Sequence, residues 1–419
     1  MKHVVMSRSL IVPITLALLA SGMSLPSYWI ASAGAAQPVV NRMEPMGVVR
    51  GQTTKVILHG DRLADAHQVL FDQPGMSVTE VKPIDAKQVE ITVVAEETIA
   101  PGLYPLQLVT KSGVSNLRLM GVGAIPVVKE VEPNSDFETA QKIDLNCTIE
   151  GIITFEDLDH FEVELAAGQT LQVEVEGMRL SYDYRNRIFD PYIAILDAGR
   201  FEIADSDDSS LLQQDPLLTF TAPQAGTYKV LLRDSSFGGH DLAHYRMHIG
   251  TFPRPIAVIP AGGKPGELLT ATLVHPTGNP DAPLLTTAQV QLPSERTDLF
   301  PVVTQNDQGV SPSPNWIRVN DLPVTVESEP NDDVRKGNSA TGPGAFCGVI
   351  GQPGDIDFFS FEATKGQKYL VRVYARGTLR SPLDSVVNVY NPQFRSMAGN
   401  DDEGRKTDSF VEFTPAEDG

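Results

Sequence analysis

The sequence predicts an all-β chain built as a multi-domain string of small sandwiches, and three observations carry that prediction. Apolar and polar residues alternate over short runs. Leu171, Val173 and Val175 sit between Gln172, Glu174 and Glu176, the period of a strand with one buried face. Gly 34 and Pro 31 punctuate those runs, as at Ala167-Gly168 and Ala225-Gly226, where tight turns need them. No long segment keeps a helical period, although residues 137–143 allow one short helical turn. At 419 residues, the chain is long enough for about three or four domains.

The elements follow in order. Residues 1–36 read as a secretory signal, with Lys2 and Arg8 ahead of an apolar run at 10–20. Ala31, Ser32, Ala33, Gly34, Ala35 and Ala36 then offer A-x-A-like cleavage points after Ala33 or Ala36. That run is well short of the ~20 residues needed to span a bilayer. A mature chain without a membrane span is expected, secreted, periplasmic or on the cell surface. The formal net charge of −20 repels phosphate, which disfavours nucleic acid and anionic membrane and favours divalent cations.

Residues 37–125 form the next unit. Val56 and Leu58 run into Gly60-Asp61, Val89, Ile91 and Val93 alternate, and Pro101-Gly102 opens a run closed at Ser112-Gly113. This spacing resembles the small immunoglobulin-like module called IPT/TIG.

Self-comparison shows a duplication over 126–250 and 327–419. Glu130-Val131-Glu132-Pro133-Asn134 recurs as Glu327-Ser328-Glu329-Pro330-Asn331, and Asp157-Leu158-Asp159 as Asp355-Ile356-Asp357. Gly168-Gln169 recurs as Gly366-Gln367, and Asp207-Asp208 as Asp401-Asp402, with offsets between 193 and 200. Copy one continues past Gly226 into Tyr228, Val230 and Leu232, whereas copy two reaches only Gly419; a fragment of a longer protein is expected. Cys147 and Cys347 fall at matching positions of separate copies, so each is expected to pack as a small hydrophobe rather than pair. Residues 251–326, with Pro253, Pro255, Pro260 and Gly262-Gly263, read as a further small β domain or a semi-rigid spacer.

The acidic repeat carries the chemistry. In Glu130-x-Glu132 and Glu327-x-Glu329, alternate residues of an extended segment point the same way, about 6.6 Å apart. Pro133 and Pro330 bias the preceding glutamates toward extended geometry, and Asn134 and Asn331 add amide oxygens. Calcium takes about six to eight such oxygens. Asp157 and Asp159 share parity with Phe161 and Val163, as Asp355 and Asp357 do with Phe359 and Phe361. Carboxylates leaning into a core need a cation or several donors. The alternative is that the strand starts later and these acids sit in a solvated turn. The loops Asp205-Ser206-Asp207-Asp208 and Asn400-Asp401-Asp402-Glu403 read mainly as solvated turns, and Asp190 and Asp384 as hydrogen-bonding residues.

Together, the Glu-x-Glu-Pro-Asn stretch, the Asp-x-Asp start, the Gly-Gln turn and the Asp-Asp loop resemble the bacterial pre-peptidase C-terminal domain. The resemblance implies jelly-roll-like sandwiches in secreted multi-module proteins, often peptidases. It also implies a structural calcium held by the acidic linker and an Asp at the first strand. In copy two this selects Glu327, Glu329, Asn331, Asp332 and Asp355 or Asp357. In copy one it selects Glu130, Glu132, Asn134 and Asp157 or Asp159, with Ser135 where the family often has Asn or Asp.

His240, His244 and His248 mimic a zinc motif at helical spacing. Tyr245, Met247 and Ile249 alternate with His244, Arg246 and His248, which is a strand. There, residues four apart lie about 13 Å apart, too far to share an ion with bonds of about 2.1 Å. Solvent-facing histidines are expected. No H-E-x-x-H, G-x-S-x-G, P-loop or dinucleotide glycine pattern occurs. The expected function is therefore non-catalytic: calcium-stiffened spacer or binding modules for extracellular protein or polysaccharide. The alternative is the ancillary front of a secreted, subtilisin-like serine peptidase whose catalytic domain lies beyond Gly419.

Overall fold

The computed structural model describes residues 36–180, 189–277, 282–404 and 406–419; of the stretch 1–36 expected to be a signal, residues 1–35 lie outside them. The regular secondary structure of the described residues is nearly all strand, with 3-10 turns at Phe137–Thr139 and Met178–Leu180. The first turn falls where a short helical turn was expected.

Residues 37–125 fold as a four-stranded and a five-stranded sheet, the fifth strand being the short Gly113–Val114 paired to Gly102–Thr110. One runs Val39–Glu44, Thr53–Asp61, Gln88–Ala95, Met76–Pro83; the other runs Gly47–Val49, Arg118–Gly123, Gly102–Thr110, Gln68–Phe71. Val56, Leu58, Val89, Ile91 and Val93 are fully buried between them, as their alternation requires.

Residues 126–250 form two five-stranded sheets. The first has the order Val127–Lys129, Cys147–Ile152, His244–Gly250, Thr170–Glu176, Leu217–Thr221. The second runs Gln141–Lys142, Leu158–Leu165, Gly226–Asp234, Pro191–Leu196, Glu202–Ser206. In each sheet the middle strand is the last to occur in the chain. Leu171, Val173, Val175, Tyr245, Met247 and Ile249 fill the core between the sheets.

The outer face of the first sheet departs from expectation. Gln172, Glu174 and Glu176 are buried along with their apolar neighbours. His244 and His248, expected to face solvent, are buried too. The strand assignment holds, but neighbouring modules cover this face. From residues 37–125, Met46 N donates to Glu150 Oε2 at 2.7 Å. Arg246 Nε donates to Glu150 Oε1 at 3.0 Å, and its Nη1 reaches Glu176. From the following module, Ser313 Oγ donates to Glu174 Oε1 at 2.6 Å, and Arg254 bridges Glu174, Ser313 and Asn315. Burial would raise the Glu176 carboxyl, yet Arg246 and His248 beside it hold it well below the usual range.

Residues 251–326 contain two three-stranded sheets around Val258, Leu269, Leu273, Val302, Ile317 and Val319. This stretch thus has a hydrophobic core of its own. The last unit begins at Val324–Val326, which pairs parallel with Ala345–Cys347, so its first strand lies just ahead of the expected 327 boundary.

The register corrects one expectation. Glu130 N bonds Glu150 O at 3.0 Å, and Glu327 N bonds Cys347 O at 2.9 Å. Cys347 is thus the counterpart of Glu150, three residues on from Cys147; matching by residue identity had misplaced it. Both thiols are free, and burial pushes the Cys147 thiol up to about 11.

Candidate metal centres at two linker–sandwich junctions

Each acidic segment is positioned by a short strand annexed to the sandwich that follows. Val127–Lys129 pairs parallel with Cys147–Ile152, and Val324–Val326 with Ala345–Cys347. The chain then turns over the sheet end, held by an amide side chain. Val131 N donates to Gln141 Oε1 at 2.8 Å, and Ser328 N donates to Asn338 Oδ1 at 2.8 Å. Asn134 N and Asn331 N each donate to the preceding glutamate, Glu132 or Glu329, at 2.8 Å. This is the local side-chain-to-backbone bonding that favours Asn at turns.

Two carboxylate groups result. Glu130, Glu132 and Asp159 present oxygens all within 4.8 Å of one another, and so do Glu327, Glu329 and Asp357. Asn134 and Asn331 lie fully buried beside them. In the first group, Asn134 Nδ2 donates to Glu130 Oε1 at 3.2 Å, while Asn134 Oδ1 and Asp159 Oδ1 are buried without a partner. In the second, Asn331 Oδ1, Glu327 Oε2 and Asp357 Oδ1 are in the same condition. Buried oxygens without donors are costly.

The electrostatics agree with the crowding. Burial first, then the adjacent Glu130, pushes the Asp159 carboxyl up to about 11. Burial, then Glu327, pushes Asp357 up to about 7. Tyr245 OH donates to Asp159 Oδ2 at 2.6 Å and lies 3.2 Å from Glu130 Oε1. One hydroxyl proton cannot serve both carboxylates.

The geometry chooses between the paired aspartates. The strand begins at Leu158, so Asp159 lies in it and Asp157 lies in the turn before. Asp157 accepts from Thr154 N and Oγ1 at 3.0 Å, Leu158 N at 3.1 Å and Ser135 Oγ at 3.2 Å; it braces the turn. Asp355 accepts from Gly351 N, and Asp332 Oδ1 from Ile356 N at 3.3 Å, which leaves both outside the second group. Among the described residues, the 205–208 and 400–403 loops gather no third group. Asp190 accepts from Ser235 Oγ at 2.9 Å. Sequence reasoning missed Tyr245, Gln141 and Asn338; the last two match at the motif's own offset of 197, a usable signal.

Fold and site together define a multi-module β protein with paired acidic junctions. Residues 157–234 match the family model of the bacterial pre-peptidase C-terminal domain, so this stretch of the chain is such a domain. A search by sequence among curated proteins finds no match. Solved structures show slight likenesses. The pre-peptidase C-terminal domain of a Bacillus anthracis collagenase is 16% identical, covers 26% of this chain and 93% of its own, with a TM-score of 0.21. PliG, a periplasmic inhibitor of g-type lysozyme from Aeromonas hydrophila, is 17% identical, covers 30% and 96%, with a TM-score of 0.20. SGBP-B from a Bacteroides ovatus mixed-linkage glucan utilization locus is 11% identical, covers 49% and 71%, with a TM-score of 0.16. At such scores these likenesses carry no argument. No helix among the described residues is long and apolar enough to cross a membrane.

Proposed function

We propose that the chain is a secreted, non-catalytic assembly of β modules stiffened by calcium at both acidic junctions. It would serve as spacer and binding modules for extracellular protein or polysaccharide. Residues 37–125 act in this reading as an IPT/TIG-like front module, and 324–419 as a second pre-peptidase C-terminal fold. The observation that carries it is the repeated set of three carboxylates beside buried oxygens without donors. An all-oxygen, strongly anionic set suits a hard dication such as Ca2+ better than zinc. Glu130, Glu132, Asn134 and Asp159 would hold one ion, and Glu327, Glu329, Asn331 and Asp357 the other. The ion would neutralise the crowded carboxylates and clamp the linker to the sheet, limiting hinge motion between modules.

Titration calorimetry of the chelator-stripped chain with CaCl2 tests this. Two binding events are expected, one lost in Asp159→Asn and the other in Asp357→Asn. Absence of binding heat together with identical melting curves in calcium and in chelator would sink it. The match to a pre-peptidase C-terminal domain favours a second reading, in which the modules accompany a secreted, subtilisin-like serine peptidase domain outside this sequence. Peptidase activity in the natural secreted product would support it.

A further inference from the structure

We propose that Leu284–Gln291 is an association edge: two copies of this chain join antiparallel along it, around a two-fold axis at Ala288. The strand borders the three-stranded sheet Ala257–Ile259, Leu268–His275, Leu284–Gln291. One of its edges pairs with Leu268–His275 over the whole strand. Among the described residues, no strand pairs with the other.

Three other sheet edges are guarded against such joining. Met76–Pro83 carries Glu80, Lys82, Pro83 and a bulge between Val78 and Glu80. Glu202–Ser206 carries two acids, and Thr297–Val302 carries Asp298, Pro301 and a register break. Charge, proline and bulges are how edges avoid pairing with other chains. Leu284–Gln291 has none of the three; it is 8 residues long, regular and uncharged.

Hydrogen-bond parity fixes how a copy can join. Leu292 N donates to Glu267 O at 2.9 Å across the same two strands. Even-numbered residues of 284–290 therefore turn their N–H and C=O groups toward Leu268–His275, and Leu285, Thr287, Gln289 and Gln291 turn theirs to the open edge. One two-fold axis uses all four. Centred on Ala288, it sets Leu285 against the partner's Gln291 and Thr287 against the partner's Gln289, each pair exchanging two backbone hydrogen bonds.

The side chains specify a second copy as the occupant. Ala288 and Val290 pack on the core of this unit, which puts the even-numbered residues on the core face. At the axis Ala288 meets the partner's Ala288, in the closely spaced kind of pair where a small residue fits. Leu284 shares that face yet is more than half exposed; joining sets it against the partner's Leu292, at the margin of the buried cluster. On the opposite face, Leu268 and Leu285 are also more than half exposed. Joining places Leu268 and the partner's Leu285 on either side of Gln291. Copies carrying a net charge of −20 repel, and this strand sets no charge against its own image.

Sedimentation of the full chain in EDTA and reductant tests this independently of the calcium reading. Mass should rise from one chain toward two between about 1 and 100 μM, as for a small edge-to-edge interface. Thr287→Pro removes an N–H that faces the open edge. Its circular dichroism should match the parent's, while dimerisation weakens at least about 10-fold. Oxidation reads the register: Ala288→Cys should cross-link two copies at the axis. Thr286→Cys, about 13 Å along the strands from its own image, should not. A chain monomeric across the range overturns the proposal, as does a dimer indifferent to Thr287→Pro. Should that variant unfold, the cysteine pair decides alone, and equal cross-linking of both overturns the two-fold axis. A monomeric chain that binds extended peptides along this edge would equally show the second copy to be the wrong occupant.

Discussion

The Arg246 guanidinium occupies the space where a Cβ on Gly121 would stand, 1.8 Å from Arg246 Nη1. Gly47, which pairs with Gly121 across parallel strands, leaves a similar notch, with 2.5 Å to Nη2. Two facing glycines thus make a flat seat on one module for a fully buried cation on the next. Glu150 and Glu176 hold the cation from its own side. A buried charge is tolerated only with such pairing.

Substitution at this seat should be severe. Gly121→Val is expected to displace Arg246 and part the two modules, and Arg246→Ala to leave two buried carboxylates without their cation, at a cost of about 3–5 kcal/mol. Urea unfolding should show the loss, with faster limited proteolysis between the modules. A variant as stable as the parent would show that the junction is not closed in solution.

The paired aspartates should separate cleanly. Asp157→Ala removes the acceptor for four donors and should cost about 1–3 kcal/mol whether calcium is present or not. Asp159→Asn should leave the chelator-treated protein at least as stable, because it removes one of three crowded carboxylates, and should abolish the calcium-dependent rise in Tm from this site. Melting curves of both variants, with and without chelator, check the pair.

Asp215 should prove a structural hub. It is fully buried and accepts from the backbone of Gly177, Met178 and Arg179 and from Arg179 Nε. Asp215→Ala removes the acceptor of Arg179 Nε and of three amide donors, leaving the guanidinium to Glu174 and the Val175 carbonyl, and about 1–3 kcal/mol should be lost. Circular dichroism melts would register it.

Stability should fall as the medium is acidified from pH 6.5 toward 4. Burial, then the nearby Arg42, holds His244 down at about 4, against an ordinary value of about 6.5. Between those values the unfolded chain binds a proton that the folded chain refuses, so acid favours unfolding. The full effect is about 3 kcal/mol at pH 4, absent above pH 7. His244→Gln should flatten this part of the pH–Tm curve. A curve unchanged by that substitution would show that His244 titrates normally.

Much of the architecture was legible because alternation is a local property. Leu171, Val173 and Val175 declare a strand and its inward face without reference to anything distant. The acidic motif was legible for a different reason: the same residue types recur in the same order around two turns. Which aspartate joins Glu130 and Glu132 was not, since Asp157 and Asp159 share parity. Only the strand's start at Leu158 separates them. The cysteine pairing by identity failed because backbone hydrogen bonds, not residue letters, set register.

By itself the sequence determined the all-β class, the order of modules and the carboxylates at the two junctions. The tertiary structure alone decided that Glu174, Glu176, Arg246 and His248 lie away from water. Polarity along a strand reports what a side chain prefers. It does not report that glycines from one module and a serine from another will close over that face and supply the missing partners.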